Sequence, residues 1–280
     1  MFKALIFPLA LLGSAAHAAP ADDHKLIVRG DRLFIPVTVN GQTVEALLDS
    51  GAEASFVDDD FLRVLSIKPE GEEIAKGSGG EEKVQFAKGL TIHAAGTDLA
   101  DQTVAVVDLD PLSARLIGVK LPMILGRNFF DAGRFEIDIE KGTIRKLADD
   151  AKPQGVELPL TTHRGIEDFP VTIEGREVQA ALDLGNGSEM MVGREAAVKM
   201  RLALPSRIVE KKQGGGLGGT VSRDIVLLSK VTIAGKTFTR VRAAIDDQDS
   251  QSDGNIGVSL LRHFIITTDF PGHKLWLKPR

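Results

Sequence analysis

From Leu26 to Ala46 the chain runs in short β-branched, apolar stretches broken by Arg29-Gly30-Asp31 and by Asn40-Gly41. Alternating apolar positions on both sides of an Asn-Gly pair predict two strands joined by a tight hairpin. The apolar run Ala46-Leu47-Leu48 then stops at Asp49-Ser50-Gly51, a turn tripeptide. Ser55-Phe56-Val57 predicts another strand. Asp58-Asp59-Asp60, ahead of Phe61, Leu62 and Leu65, supplies the capping and first-turn acids of a short helix. Further on, Lys76-Gly77-Ser78-Gly79-Gly80 separates two β-like stretches, as a hairpin tip would.

The same pattern then returns. Pro36-Val37-Thr38-Val39-Asn40-Gly41 lies over Pro170-Val171-Thr172-Ile173-Glu174-Gly175, and Val44 over Val178. Ala180-Ala181-Leu182-Asp183-Leu184-Gly185-Asn186 repeats the apolar run, the aspartate and the glycine, with Asp183 standing 134 residues after Asp49. Met191-Val192-Gly193 and the stretch Glu195 to Met200 repeat the strand and short helix, shifted by one residue. The run Gln213-Gly214-Gly215-Gly216-Leu217-Gly218-Gly219 repeats the glycine-rich tip. Met123-Ile124-Leu125-Gly126, leading to Phe135–Asp138, is answered by Asn255-Ile256-Gly257, leading to Ile265–Asp269. Between the copies the residues around 149–155 are polar, with Pro153 and Gly155 and no apolar periodicity, which marks a linker. The pattern predicts an all-β chain of two lobes, 25–148 and 156–280, joined by 149–155. Gly214, Gly216 and Gly219 also fit the spacing of a dinucleotide-binding loop. Such a loop opens a helix, and Thr220 to Ile233 reads as strand, so that match is chance.

Composition narrows the classes. A chain of 280 residues, 43% hydrophobic and 26% charged, can bury a sizeable core. A formal charge of −5 without basic blocks argues against nucleic acid and anionic membranes as partners. Met1-Phe2-Lys3, the apolar segment Ala4–Leu12 and the close Ala16-His17-Ala18 have the layout of a secretory signal peptide, with cleavage after Ala18. No run is long enough to span a bilayer. The mature chain is thus expected to be exported, periplasmic or secreted, and not inserted in a membrane. Without cysteine it must hold by its core alone.

The apolar strand ending in Asp49-Ser50-Gly51-Ala52, the glycine-tipped hairpin about thirty residues later and the segment Ile124-Leu125-Gly126 together resemble the aspartic proteases of the pepsin and retropepsin type. The likeness covers nearly the whole mature chain. It implies a two-lobed acid-protease fold with pseudo-twofold symmetry, a monomer whose lobes each supply one catalytic aspartate, Asp49 and Asp183. It implies support of the turns by Ser50 and Gly51 in one copy and by Leu184 and Gly185 in the other. It places Gly79, Gly80, Gly215 and Gly216 in flaps over a peptide or protein substrate, and requires neither cofactor nor metal. The chain departs from the family pattern at Leu184, where Thr or Ser is usual, at Asn255, where an apolar residue is usual, and in having no tyrosine for a flap.

Peptide hydrolysis needs a base to activate water and an acid to protonate the leaving nitrogen, and two carboxyl groups sharing one proton supply both. At roughly 3 Å two carboxylates repel by about 5 kcal/mol at an effective dielectric near 20, so the pair titrates in two well-separated steps. A rival expectation comes from Leu184: a binding or interaction protein that kept the fold and lost its second active turn. Other candidate chemistry is weaker. His93, His163, His263 and His273 have no metal-ligand spacing. Asp138 and Asp269 are expected as turn acceptors at strand ends, and the run Asp246-Asp247-Gln248-Asp249 as a solvated loop.

Overall fold

The Asn40-Gly41 pair turns with both residues at positive φ, 46° and 85°, and Glu174-Gly175 does the same at 50° and 81°. This is the mirror-image turn whose twist matches the flanking strands. In the computed structural model, which describes residues 22–247 and 252–280, each of these hairpins lies within an eight-stranded sheet. The predicted signal segment 1–18, and Gln248 and Asp249 of the acidic run, lie outside the described residues.

The first sheet runs in the order Ile27–Arg29, Arg32–Val39, Gln42–Leu48, Met123–Leu125, Phe56–Asp58, Thr97–Val107, Gly80–Ala94, Glu70–Gly77. The second repeats that order with Thr161–His163, Ile166–Ile173, Arg176–Leu182, Gly254–Ile256, Met190–Gly193, Lys236–Asp246, Gly219–Ile233, Ile208–Gly216. Short helices stand where the acid-before-apolar pattern puts them, at Asp59–Val64, capped by the Asp58 carboxylate, and at Arg194–Lys199. The fold is the two-lobed, all-β acid-protease type. No described helix is long and apolar enough to cross a membrane.

A third sheet of six strands draws on both copies. Arg134–Asp138 pairs with Phe264–Asp269, and Val156–Pro159, where the second copy begins, pairs with Lys274–Pro279, where it ends. Residues 147–155 between the copies form no helix or strand, and Arg134 donates to the carbonyls of Asp149 and Ala151 at 3.4 and 3.1 Å. Asp138 and Asp269 end their strands as expected, accepting from the turn N–H groups of Lys141 and Gly272 at 2.8 and 3.0 Å.

Leu48, Leu125, Leu182 and Ile256 belong to one large apolar core that extends through both lobes. Their neighbours Leu47 and Ile124 point the other way and join a separate, smaller cluster with Phe34, Val84 and Val107. The alternation of strand side chains makes this division: one face builds the large core and the other packs into the smaller cluster with Leu109, Leu112 and Leu121. The acidic run departs from the solvated loop expected for it. Asp246 is the buried last residue of a strand and pairs with buried Arg223 at 3.0 Å, while exposed Asp247 pairs with Arg194. The partner that neutralises Asp246 sits on the neighbouring strand, out of reach of a local pattern.

Candidate active site

Each apolar run carries its aspartate to a parallel pairing with the segment that closes the copy. Leu47 pairs with Ile124 and Ala181 with Asn255, and the chain then turns. The Asp49 N–H donates to Leu125 O at 3.0 Å, and the Asp183 N–H to Ile256 O at 3.1 Å. Behind the turns stand Gly126 and Gly257. A Cβ on Gly126 would press on the carbonyls of Ala52 and Ala54, and one on Gly257 on Asn186. The turns can pack this closely because both residues are glycine.

The two turns meet face to face. A Cβ on Gly51 would lie 2.8 Å from Asp183 Cγ, and one on Gly185 would lie 2.5 Å from both carboxylate oxygens of Asp49. Each glycine thus leaves the room that the other copy's aspartate occupies. Of the two residues that follow the aspartates, only Ser50 ties the turns together with a hydroxyl. Its buried hydroxyl donates to Leu182 O at 2.7 Å and accepts from the Leu184 N–H at 2.9 Å. Leu184 has no hydroxyl to return the bond and is fully buried in the core instead.

The carboxylates differ in what holds them. Asp49 Oδ1 accepts one backbone N–H, from Gly51 at 2.9 Å. Asp183 Oδ1 accepts two, from Gly185 and Asn186, both at 2.9 Å, and its Oδ2 accepts the Asn255 side-chain amide at 2.6 Å. Asn186 Nδ2 in turn donates to Asn255 Oδ1 at 2.8 Å, which fixes the amide's orientation. Burial and the neighbouring Asp183 charge push Asp49 up to about 8, against the pull of the Gly51 N–H. Burial also raises Asp183, opposed by Asn255 and by the Asn186 and Gly185 N–H groups. Three donors against one leave the shared proton on Asp49 and the negative charge on Asp183. Arg32 lies in the field of both, its side chain crossing to pack on Gly187 of the second copy.

Two hairpins, one from each copy, meet at their tips. The first bends at Ser78-Gly79, with Gly80 opening the returning strand. The second bends at Leu217-Gly218, with Gly215 and Gly216 on the strand that leads to the bend. The Gly79 N–H donates to Leu217 O at 2.9 Å. Arg115 donates to Gly216 O and Arg223 to Ser78 O, each across the lobes at 2.6 Å.

Arg32, Arg115 and Arg223 carry no motif in the sequence, and Asn255 stands out there only as a departure from the family pattern. Among the described residues Asp58, Asp59 and Asp108 bring carboxylate oxygens within 4.8 Å of one another, a spacing that could hold a cation. Both Asp58 oxygens, however, accept backbone N–H groups, from Phe61 and Leu109.

The chain matches the aspartyl protease family over residues 35–129 and 169–260, one match in each copy and more than half of the chain together. It belongs to that family, in its retropepsin-like branch, as a protein of two repeats. Comparison with curated proteins gives no match.

Proposed function

We propose that this chain is an exported aspartic endopeptidase, acting as a monomer, that hydrolyses peptide bonds with a water activated between Asp49 and Asp183. The observation that carries this reading is the reciprocal seating of the turns, each glycine making room for the other copy's carboxylate. Asp183, ionised and held by three donors, is the base that takes a proton from the attacking water. Asp49, protonated, donates to the carbonyl oxygen as it becomes an oxyanion, and a proton then passes to the leaving nitrogen. One chain carries both aspartates, so a monomer suffices. The signal-like residues 1–18 support export to the periplasm or beyond.

The active form holds one proton between the two carboxylates. Activity should follow a bell-shaped pH profile whose alkaline limb falls near 8, where Asp49 loses its proton. The test is cleavage of an unfolded protein across this range by the chain and by Asp49→Ala, with and without pepstatin. Cleavage that pepstatin blocks and Asp49→Ala abolishes is the expected result. The rival reading, a non-catalytic periplasmic binding protein, draws on Leu184, and it prevails if the purified chain cleaves nothing at any pH.

A further inference from the structure

Among the described residues Arg32 is the one arginine that is partly withdrawn from water and yet makes neither a hydrogen bond nor an ion pair. Arg164, Arg176, Arg201 and Arg240 make none either, but they are exposed. Arg29, Arg63, Arg194, Arg242 and Arg262 bond to carboxylates, which hold them above the usual arginine value. Burial instead pulls Arg32 below that value, against the fields of Asp183, Asp49 and Asp31. Those carboxylates are engaged elsewhere. Asp31 accepts from Arg262 at 2.6 Å, and Asp183 is held by Gly185, Asn186 and Asn255.

The repeat shows which partner is missing. Arg29 pairs with Arg32 as His163 pairs with Ile166, so the second copy carries Ile166 where the first carries Arg32. Four residues after its aspartate the first copy carries Glu53, and the second carries Gly187. A Cβ on Gly187 would lie 2.8 Å from Arg32 Cγ, and one on Gly165, beside Ile166, would lie 3.3 Å from Glu53 Cβ. The stretch with Arg32 thus meets Gly187 across the lobes, and the stretch with Ile166 meets Glu53. The cation and the acid that could have paired stand at opposite ends of the interface. Gly187 leaves the guanidinium without the carboxylate that symmetry would set beside it.

We propose that Arg32 is a specificity-determining residue that takes the carboxylate of an acidic side chain on the bound peptide, close to the bond held between Asp49 and Asp183. The inference rests on the peptide-cleft reading. Asp49, Asp183 and Arg32 are all half-buried, so the guanidinium reaches solvent in the field of two carboxylates that do the same. Its planar fork offers paired N–H donors that fit one carboxylate, and such charged bonds are roughly twice as strong as neutral ones. A carboxamide would meet the donors but not the charge. An apolar side chain would cover the cation and offer it nothing.

A binding measurement separates this inference from the reading it rests on. The full-length Asp49→Asn chain, which keeps the negative charge on Asp183, is titrated near neutral pH with fluorescent peptides built on a central Leu-Leu pair. Each peptide carries one Glu, one Gln or one Lys, moved through the positions on either side of that pair. At one position Glu should bind about tenfold more tightly than Gln, the change expected for a hydrogen bond between charged groups. Added to that chain, Arg32→Met should remove the difference, and Arg32→Glu should give Lys the advantage at the same position, a reversal that a merely structural role would not produce. The Glu-against-Gln comparison on the Asp49→Asn chain carries the test if the Arg32 variants do not fold. Gln binding as tightly as Glu at every position, or a Glu preference that survives Arg32→Met, overturns the inference and leaves the cleft reading standing. Binding of none of the peptides overturns both.

Discussion

The two copies of the aspartate turn have nearly the same backbone and are held by different bonds. In the first, a hydroxyl reaches across to the partner turn and the carboxylate accepts a single N–H. In the second, no hydroxyl reaches back and the carboxylate accepts three donors, one of them Asn255. A twofold arrangement therefore survives the loss of one of its two ties, because the donor set moved from the lobe interface to the carboxylate itself. The cost of the asymmetry is small in a single chain, where the lobes are covalently joined and share a sheet. Its consequence is chemical: the two aspartates are no longer interchangeable.

The sharpest way to break the comparison is to neutralise each aspartate in turn. Asp49→Asn and Asp183→Asn should each lower kcat by a factor on the order of 10⁴, since the proton can no longer be shared. Their stabilities should separate. Asp49 holds its proton up to about 8 in the folded chain but only to about 4 when unfolded, so its contribution is fully present below about pH 4 and is lost as pH rises toward 8. Asp49→Asn removes that loss and should raise Tm at pH 8 by on the order of 5 °C, with little change at pH 4. Asp183→Asn sets an amide against the Asn255 amide, leaves a donor unpaired and should destabilise the chain by about 1 to 3 kcal/mol. Thermal unfolding of both variants at the two pH values checks this. Equal behaviour of the variants would dissolve the distinction between the copies.

A second difference lies behind the turns. Arg127, just after the first closing segment, reaches into the second copy and pairs with fully buried Glu167 at 2.9 Å, where Thr162 also donates at 2.7 Å. The equivalent positions with the copies exchanged are Val258 and Leu33, both fully buried and apolar. One end of the lobe interface is thus an ion pair and the other is core. Arg127→Val alone strands the Glu167 charge and should cost about 3 to 5 kcal/mol in urea unfolding, while Arg127→Val with Glu167→Leu should recover most of it. A single variant as stable as the parent would mean that this pair contributes nothing to holding the lobes together.

These contrasts mark how far the sequence could be read. The hairpin at Asn40-Gly41, the strand before Asp49 and the helix capped by Asp58 depend on neighbours a few residues away, and their signals are local. The repeat of Asp-x-Gly brought Asp49 and Asp183 into one frame. Asn255 could be seen as an exception but not as a ligand of Asp183, since that contact needs the parallel pairing of Arg176–Leu182 with a segment some seventy residues on. The burial of Asp246 depends likewise on Arg223, one strand over. The glycines of the second hairpin pointed to a tip but not to its register, and the bend falls at Leu217-Gly218 beyond Gly215 and Gly216. The six-stranded sheet, which takes strands from both ends of the chain, has no local mark at all.

The smallest expected effects fall on the residues after the aspartates. Ser50→Ala should cost about 1 to 3 kcal/mol, because the Leu182 carbonyl and the Leu184 N–H are both left buried without the hydroxyl that served them. Leu184→Thr tests the reverse change and should move stability by no more than about 1 kcal/mol. Threonine gives up part of a fully buried apolar side chain, while its hydroxyl can make across the interface the bonds that Ser50 makes from the other side. Activity should be retained, since Asp183 is held by Gly185, Asn186 and Asn255 and by nothing on Leu184. The two changes combined, Ser50→Ala with Leu184→Thr, move the single tie from one copy to the other. If that double variant unfolds at the same urea concentration as Ser50→Ala alone, the hydroxyl works only from the first copy, and the interface is asymmetric in its backbone as well as in its side chains.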